Sequence, residues 1–271
     1  HVVAAKLAQE GWAVRIVARN PPAFEGTWDF VAFDRRSSSS LASAIGSGID
    51  LLVDCICFDE VDALQLIDCE NQYGHLVMIS SASVYRDPNG KTLDEARIFG
   101  FPDFPIPIPE DNQTVDPGPE TYSTRKVSAE QTLLRQSKRK VTSLRPCAIH
   151  GAYSKHAREW WFVRRLLDGR TRIPLAYGGT SQFQTTSAAA IGAAAHFVVE
   201  HQLAGCKNVI DADAPSVASI GRTIMKQMGR QAELIALPDE PFPPSVGASP
   251  WSVQRPLVCG TSLPTFSSYQ D

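Results

Sequence analysis

The sequence predicts an α/β fold built on a parallel sheet, and three observations lead to this prediction. β-Rich runs alternate with helical patterns over about the first 150 residues. The run at 50–57 (DLLVDCIC) is almost continuously apolar, as in strands that a parallel sheet buries on both faces. Beyond about residue 150 the regular alternation ends. Because βαβ units are right-handed, we expect a doubly wound parallel sheet covered by helices, followed by a smaller region.

The elements of the first half follow from their periodicity and their boundaries. The chain opens in a helical pattern, with an apolar stripe that begins at Val2 and a stop at Gly11. Six prolines exclude a regular helix or an inner strand from 101–119, which we expect to be a long functional loop. The other expected elements are strands at 12–18, 29–33, 50–57, 75–80 and 141–149, and helices at 41–45, 61–69 and 121–137.

The second half has a different pattern and is expected to form a separate region. We place the boundary at residue 150, so that 1–150 forms the sheet domain and 151–271 mostly covers a substrate. The elements expected there are helices at 158–167, 187–200 and 217–228, and strands at 208–211 and 233–237.

Composition and charge exclude several classes of partner. Lys and Arg number 26 against 29 Asp and Glu, a formal net charge of -3, so no attraction to nucleic acid is expected. No apolar run approaches the ~18 residues of a membrane span, and we expect a cytoplasmic protein with a small-molecule substrate. The six cysteines are scattered without the two-residue spacing of a zinc or redox site, so reduced thiols and no metal are expected.

Tyr122 and Lys126 form the first candidate for chemistry. Four residues apart on a predicted helix, they lie on one face about one turn apart. An ammonium close to a phenol favours the phenolate and lowers its pKa, which would let Tyr122 exchange a proton near neutral pH. The spacing alone is weak evidence, because an exposed helix with a solvated lysine has the same pattern.

A serine-rich turn supplies the second candidate. The strand at 75–80 runs directly into Ser81-Ala82-Ser83. The carboxyl ends of parallel strands are where open α/β sheets bind ligands, so the Ser81 hydroxyl is placed to bond a substrate oxygen. The helix with Tyr122 and Lys126 follows about 40 residues later.

Four segments in this order resemble one family. They are ISSASVY, Pro109-Glu110-Asp111 in a Pro-rich loop, YSTRK and LRPCAIHG, and they resemble the extended short-chain dehydrogenases/reductases, the NAD-dependent epimerase/dehydratase group. The resemblance implies a Rossmann-type fold in which 1–150 binds NAD(P) and 151–271 mostly binds the substrate. It also implies an enzyme acting on a carbinol or carbonyl, such as a sugar or nucleotide sugar, and allows a homodimer.

The resemblance also assigns roles to individual residues. Ser81 matches the catalytic hydroxyl, Tyr122 the general acid/base, and Lys126 the lysine that holds the nicotinamide ribose and tunes the tyrosine. Arg145 and Pro146 match the start of the turn that borders the nicotinamide. Reduction, epimerisation and dehydration share the first step. Dehydration is the least expected of the three, because relatives that dehydrate usually place an acidic pair where this chain has Ala82-Ser83.

Three further positions are expected at the cofactor. Arg19 ends the second strand of the family's nucleotide-binding unit, where an acid favours NAD and an arginine favours the 2′-phosphate of NADP. No acid is present, so NADP is expected over NAD. Asp34 matches the residue that contacts the adenine, and Cys55 is expected to line the cofactor crevice through its backbone. The same residues would also be unremarkable as a loop arginine, a turn residue and a strand end.

The sequence also departs from the family. The family begins with a strand and a GxxGxxG turn that binds the pyrophosphate, whereas this sequence begins inside the first helix. We therefore expect a shortened chain that binds dinucleotide poorly, with a gap in the sheet between the runs at 12–18 and 50–57. At 184–187, QTTS replaces an Asp of many relatives and resembles a reductase-like branch. Two alternatives to an enzyme remain. One is a non-catalytic NAD(P)-binding or RNA-associated relative, and the other is an inactive truncated product.

Overall fold

The fold is described from a computed structural model, in which residues 1–36, 40–154, 156–238 and 245–269 are described. The first half contains α1 (Val2–Gln9), β1 (Val14–Ala18), β2 (Trp28–Ala32), α2 (Leu41–Ile45), β3 (Ile49–Asp54), α3 (Glu60–Asp68), β4 (Tyr73–Ile79), α4 (Ala96–Phe99), α5 (Tyr122–Gln136), β5 (Lys140–Pro146) and β6 (Ala148–His150). The second half contains α6 (Trp160–Leu167), β7 (Arg172–Leu175), β8 (Thr185–Ser187), α7 (Ala188–Glu200), β9 (Gly205–Val209), α8 (Val217–Gln227) and β10 (Glu233–Ala236).

Every helix and strand expected from the sequence is present, with one correction. The run at 141–149 was expected to be one strand, but it is two strands, β5 and β6, that pair in different sheets. Pro146 ends β5, and the next two backbone N–H groups turn toward β8. The Cys147 N–H donates to Thr186 Oγ1 at 2.9 Å, and the Ala148 N–H donates to the carbonyl of Gln184 at 3.0 Å.

All strand pairs among the named elements are parallel. The main sheet has the order β3-β4-β5-β9, and three two-stranded sheets pair β1 with β2, β6 with β8, and β7 with β10. β1 and β3 therefore belong to different sheets, which is the gap expected between those two runs. β9 pairs with β5, so the chain returns to the main sheet after residue 150.

The side chains of β4 alternate between two hydrophobic cores, one on each face of the main sheet. Leu76 and Met78 pack with α3 and α5 on one face of the main sheet, together with Leu66 and Leu133. Val77 and Ile79 point to the opposite face, where they pack with the buried side of α7. Successive side chains of a strand point to opposite faces, so a continuous apolar run is what a sheet covered on both sides requires. The doubly wound α/β architecture expected from the sequence is confirmed.

α1 packs closely on α7 through a glycine. A Cβ atom added to Gly192 would lie 2.7 Å from Lys6 Cβ and 3.2 Å from Val3 Cα, so no larger residue fits there without movement. Another core lies in the second half, where α6, α8 and β7 surround the buried ring of Trp251. Among the described residues, no helix combines the length and the apolar character that crossing a membrane demands.

Candidate active site

A cavity of about 640 Å³ opens at the carboxyl ends of the main sheet. Its wall includes Cys55 just after β3, Ser80 and Ser81 just after β4, and Pro146 at the end of β5. Tyr122, the first residue of α5, completes this side of the wall. The strand ends and the helix start therefore bring together residues that are far apart in sequence, at the edge where parallel sheets bind ligands.

A capping box fixes the start of α5 and with it Tyr122. Thr121 Oγ1 accepts the Thr124 N–H at 3.1 Å, and the Thr121 N–H donates to Thr124 Oγ1 at 2.9 Å. This reciprocal pair satisfies two backbone donors that the first turn of a helix otherwise leaves free. The helix begins at Tyr122 for this reason, and the tyrosine remains 39% exposed at the cavity.

Three serine hydroxyls form a chain beside Tyr122. Ser81 Oγ donates to Ser83 Oγ at 3.0 Å. Ser123 Oγ donates to the Ser83 carbonyl at 2.9 Å and lies 3.0 Å from Ser83 Oγ, within hydrogen-bond distance. Ser81 and Ser83 both line the cavity, so each presents a hydroxyl to a ligand.

Lys126 lies one helical turn beyond Tyr122 and is 1% exposed. Its Nζ atom donates to the carbonyl oxygens of Cys57 at 2.7 Å and Ile79 at 2.8 Å, and lies 4.7 Å from the centre of the Phe58 ring. Burial lowers the pKa of Lys126 below its ordinary value, although acidic neighbours oppose the change. The ammonium is therefore held by strand-end carbonyls.

The pKa of Tyr122 differs from the sequence-based expectation. Burial raises the pKa of the phenol above its ordinary value, a hydrogen bond with Ser81 opposes the rise, and the Asp94 carboxylate adds to it. Lys126 Nζ lies 5.8 Å from the centre of the Tyr122 ring. The ammonium of Lys126 points its hydrogen bonds at the two carbonyl groups and makes none to the phenol.

Of the remaining expected site residues, two line the cavity and the others do not. Cys55 and Pro146 line the cavity. Arg145 does not, because its guanidinium forms a buried two-bond ion pair with Glu130, at 2.9 Å from Nε and 2.6 Å from Nη2. Asp34 is exposed and accepts the Arg36 N–H at 2.9 Å, as a turn residue does.

Sequence reasoning missed a charged group that lies at the start of α5. Asp94 lines the cavity, and its Oδ2 atom accepts the N–H of Ser123, the residue after Tyr122, at 3.0 Å. It lies 29 residues before Ser123, in the polar interval between β4 and α5. No local pattern marked it, since its position depends on the path of that interval.

No family model matches the sequence, and no curated protein matches it. Solved structures do match the fold. MoeE5 in complex with UDP-glucose and NAD gives a TM-score of 0.65 at 16% identity, over 94% of this chain and 84% of that one. The UDP-N-acetylglucosamine 4-epimerase from Bacillus cereus gives 0.68 at 15% identity, over 96% and 85%. The Bordetella bronchiseptica enzyme WbmG in complex with NAD gives 0.62 at 15% identity, over 96% and 81%.

This chain therefore shares the fold of these three solved proteins. The Rossmann-type architecture expected from the motifs is thereby confirmed. The cofactor expectation is wrong: MoeE5 and WbmG, which share the fold, are seen with NAD and not with NADP. The physical reason lies at Arg19, an exposed residue just beyond β1. A guanidinium in water selects a phosphate only when other groups fix it in place, so its presence at that position was a poor guide to the cofactor.

Proposed function

We propose that this protein is an NAD-dependent enzyme of the epimerase or reductase type, and that it oxidises a carbinol or reduces a carbonyl of a nucleotide sugar. The observation that carries the proposal is the joint exposure of Ser81 and Tyr122 in one cavity at the carboxyl ends of the sheet, above a buried Lys126. The substrate class comes from proteins of the same fold, among them MoeE5 in complex with UDP-glucose.

The residues around the cavity fit the nicotinamide end of NAD. Ser80 Oγ is 3% exposed at the cavity wall, and within the described chain no hydrogen-bond partner satisfies it. A buried hydroxyl without a partner is costly, and an amide or ribose hydroxyl would remove that cost. Lys126 Nζ has two protein acceptors and three donors, so one N–H remains for a ribose oxygen. When bound, NAD supplies the hydride acceptor.

Residues of the protein transfer the proton between the substrate oxygen and the Tyr122 phenol. Tyr122 in its phenolate form takes the hydroxyl proton of the carbinol as it is oxidised, and the protonated phenol gives its proton to the carbonyl oxygen as it is reduced. Ser81 donates a hydrogen bond to the same oxygen and stabilises the charge that develops there. Ser83 accepts from Ser81 in the free protein and keeps that hydroxyl at the cavity.

We also propose a division of labour along the chain. Residues 1–150 hold the cofactor and 151–271 mostly hold the substrate. Arg158 supports this division, since it lines the cavity from the second region and is anchored to the Ile149 carbonyl at 2.8 Å. It forms no ion pair among the described residues, and burial lowers its pKa below the ordinary value.

The proposal is tested by turnover. The protein is incubated with NAD and UDP-galactose or UDP-glucose, and both the interconversion of the sugars and the appearance of NADH are followed. We expect Tyr122→Phe to lower kcat about 100-fold or more, the scale for losing a general acid/base, with the fold intact. Tyr153→Phe is the matched control. Tyr153 lines the same cavity, but its ring stacks on that of Phe24, with 4.6 Å between the ring centres. Equal turnover by wild type and Tyr122→Phe would refute the assignment.

A further inference from the structure

Asp94 approaches the candidate proton-transfer residue from outside its helix. Its Oδ2 atom accepts the Ser123 N–H at 3.0 Å, within the first turn of α5 and one residue after Tyr122. The first N–H groups of a helix have no partner in the helix, and the helix dipole favours negative charge there. The carboxylate is therefore positioned at the first turn of the helix that carries the phenol.

The segment that carries Asp94 is itself held in place. The Asp87 carboxylate accepts the N–H groups of Asn89 and Lys91, each at 2.8 Å, and that of Asp103 at 2.9 Å. Thr92 Oγ1 accepts the Glu95 N–H at 3.4 Å. These bonds fix the turns on either side of Asp94, so its contact with α5 is a defined feature of the fold.

The groups that face Tyr122 come from four parts of the chain. Ser81 lies beside it in the cavity wall, at the turn after β4, and Lys126 Nζ lies 5.8 Å from the centre of its ring on α5 itself. Asp94 faces it from the interval before α5, and Arg158 and His156 line the same cavity from the second region. Asp94 is exposed, and none of the ion pairs among the residues that the structure describes includes it.

We propose that Asp94 is a positioning residue for Tyr122: its carboxylate, bonded to the first turn of α5 at the cavity wall, makes a second negative charge on the neighbouring phenol less favourable. The inference rests on the proposed role of Tyr122 in proton transfer. During reduction the phenol O–H bond would break and its proton would go to the carbonyl oxygen, while a bound reduced nicotinamide would supply the hydride for the carbonyl carbon. The phenolate that remains lies beside the Asp94 charge, so it recovers a proton readily. During oxidation the same repulsion makes the phenolate rarer and more basic.

A purely structural role for Asp94 is the alternative, since any acceptor at the start of α5 stabilises the helix. Asp94→Asn separates the two roles. The amide oxygen of asparagine still accepts the Ser123 N–H, whereas the negative charge is gone. Asp94→Ser offers the same separation with a smaller side chain, should the asparagine variant fold poorly.

The test is a titration of Tyr122 in the free protein. Phenolate absorbance at 295 nm is measured against pH for wild type and Asp94→Asn, each with and without Tyr122→Phe, so that the difference isolates Tyr122 from the other tyrosines. The range is limited to pH values at which circular dichroism shows all four proteins folded. We expect severalfold more Tyr122 phenolate in Asp94→Asn at a given pH, with an unchanged Tm. Asp111→Asn, which removes an exposed acid outside the cavity wall, is the control and leaves the titration unchanged.

An unchanged Tyr122 titration in both Asp94→Asn and Asp94→Ser would overturn the inference, as would an equal change in Asp111→Asn. Because no substrate or cofactor is present, this result is independent of the turnover test. Full turnover by the Tyr122→Phe variant would contradict the proposed function. An unchanged phenolate titration of Tyr122 in the Asp94 variants would contradict only the role of Asp94. Where turnover is found, the pH at half-maximal oxidation is also expected to fall in Asp94→Asn.

Discussion

The ammonium of Lys126 lies 5.8 Å from the centre of the Tyr122 ring, but its hydrogen bonds go to the main chain. The two acceptors are the carbonyl oxygens of Cys57, beyond β3, and Ile79, the last residue of β4. Lys126 therefore joins two neighbouring strand ends beneath the cavity. A residue chosen from its spacing to a tyrosine thus has a structural task that the spacing does not reveal.

Lys126→Met should destabilise the protein as well as impair any chemistry. Methionine fills similar space but has no donor, so two buried carbonyl groups lose a partner at about 1–3 kcal/mol each. We expect the free energy of unfolding to fall by about 2 kcal/mol or more, measured by urea denaturation. Lys138→Met, at an exposed lysine just beyond α5, is the control and should change it by less than about 0.5 kcal/mol. Equal stability of the two variants would show that water or backbone movement satisfies the carbonyls.

Local sequence predicted the parts of the site that depend on one element or one strand end. Ser81 follows an apolar strand directly, and Tyr122 and Lys126 share one helix, so their placement needs only the rules of parallel sheets and helical spacing. Contacts between distant segments escaped prediction. Asp94 reaches α5 across 29 residues through a loop whose path is set by hydrogen bonds to Asp87. Arg145 was expected at the cofactor because Arg145 and Pro146 match the turn that borders the nicotinamide in the family, and no sequence pattern indicated its pairing with Glu130.

The break between β5 and β6 shows the same limit in the fold. Residues 141–149 were expected to form one strand. Pro146 ends β5, and the groups that hold the next two residues away from the main sheet, Thr186 in β8 and Gln184 just before it, lie nearly 40 residues along the chain. Arg19 failed for a different reason: an exposed arginine at a strand end occurs with either dinucleotide, so the residue type carried little information about the cofactor.

Removing one partner of the buried ion pair between Arg145 and Glu130 is expected to destabilise the fold strongly. Both side chains are nearly inaccessible, at 6% and 3%, and Glu130 also accepts a bond from Ser143 Oγ at 2.8 Å. Glu130→Gln leaves an uncompensated buried guanidinium, which costs about 3–5 kcal/mol. Urea denaturation checks this value. Glu233→Gln is the matched control, because Glu233 pairs with Arg172 on the surface and should cost less than about 1 kcal/mol.

Gly192→Val should loosen the packing of α1 on α7. The added Cβ would lie 2.7 Å from Lys6 Cβ, an atom near the backbone that cannot swing away. Overpacking of this kind costs about 1–3 kcal/mol, and we expect Tm to fall accordingly in a thermal melt. Gly118→Val is the control, because its nearest neighbour is the flexible end of the Glu120 side chain. A melt in which both variants match wild type would mean that α1 shifts freely on α7.

The stability of the protein should depend on pH through Asp211, which is fully buried. Burial pushes the pKa of its carboxyl upward, but hydrogen bonds from three neighbours hold it below the ordinary value: His150, Ser267 and Thr185. The pKa of this carboxyl is lower in the folded state than in the unfolded state, where it is near 3.9. The ionised carboxylate therefore stabilises the folded state at pH values above about 3.9. The stabilisation is lost as the pH falls from about 4 through the folded value.

Asp211→Asn removes the titrating group and the charge that its donors bond. We expect wild type to exceed the variant in free energy of unfolding by a constant amount above about pH 5, and the difference to shrink below about pH 4. Urea denaturation at a series of pH values measures both curves. Asp111→Asn, at an exposed carboxylate, should show no such dependence. A difference between wild type and Asp211→Asn that stays the same from neutral to acidic pH would mean that Asp211 contributes through packing and neutral hydrogen bonds instead of through its charge.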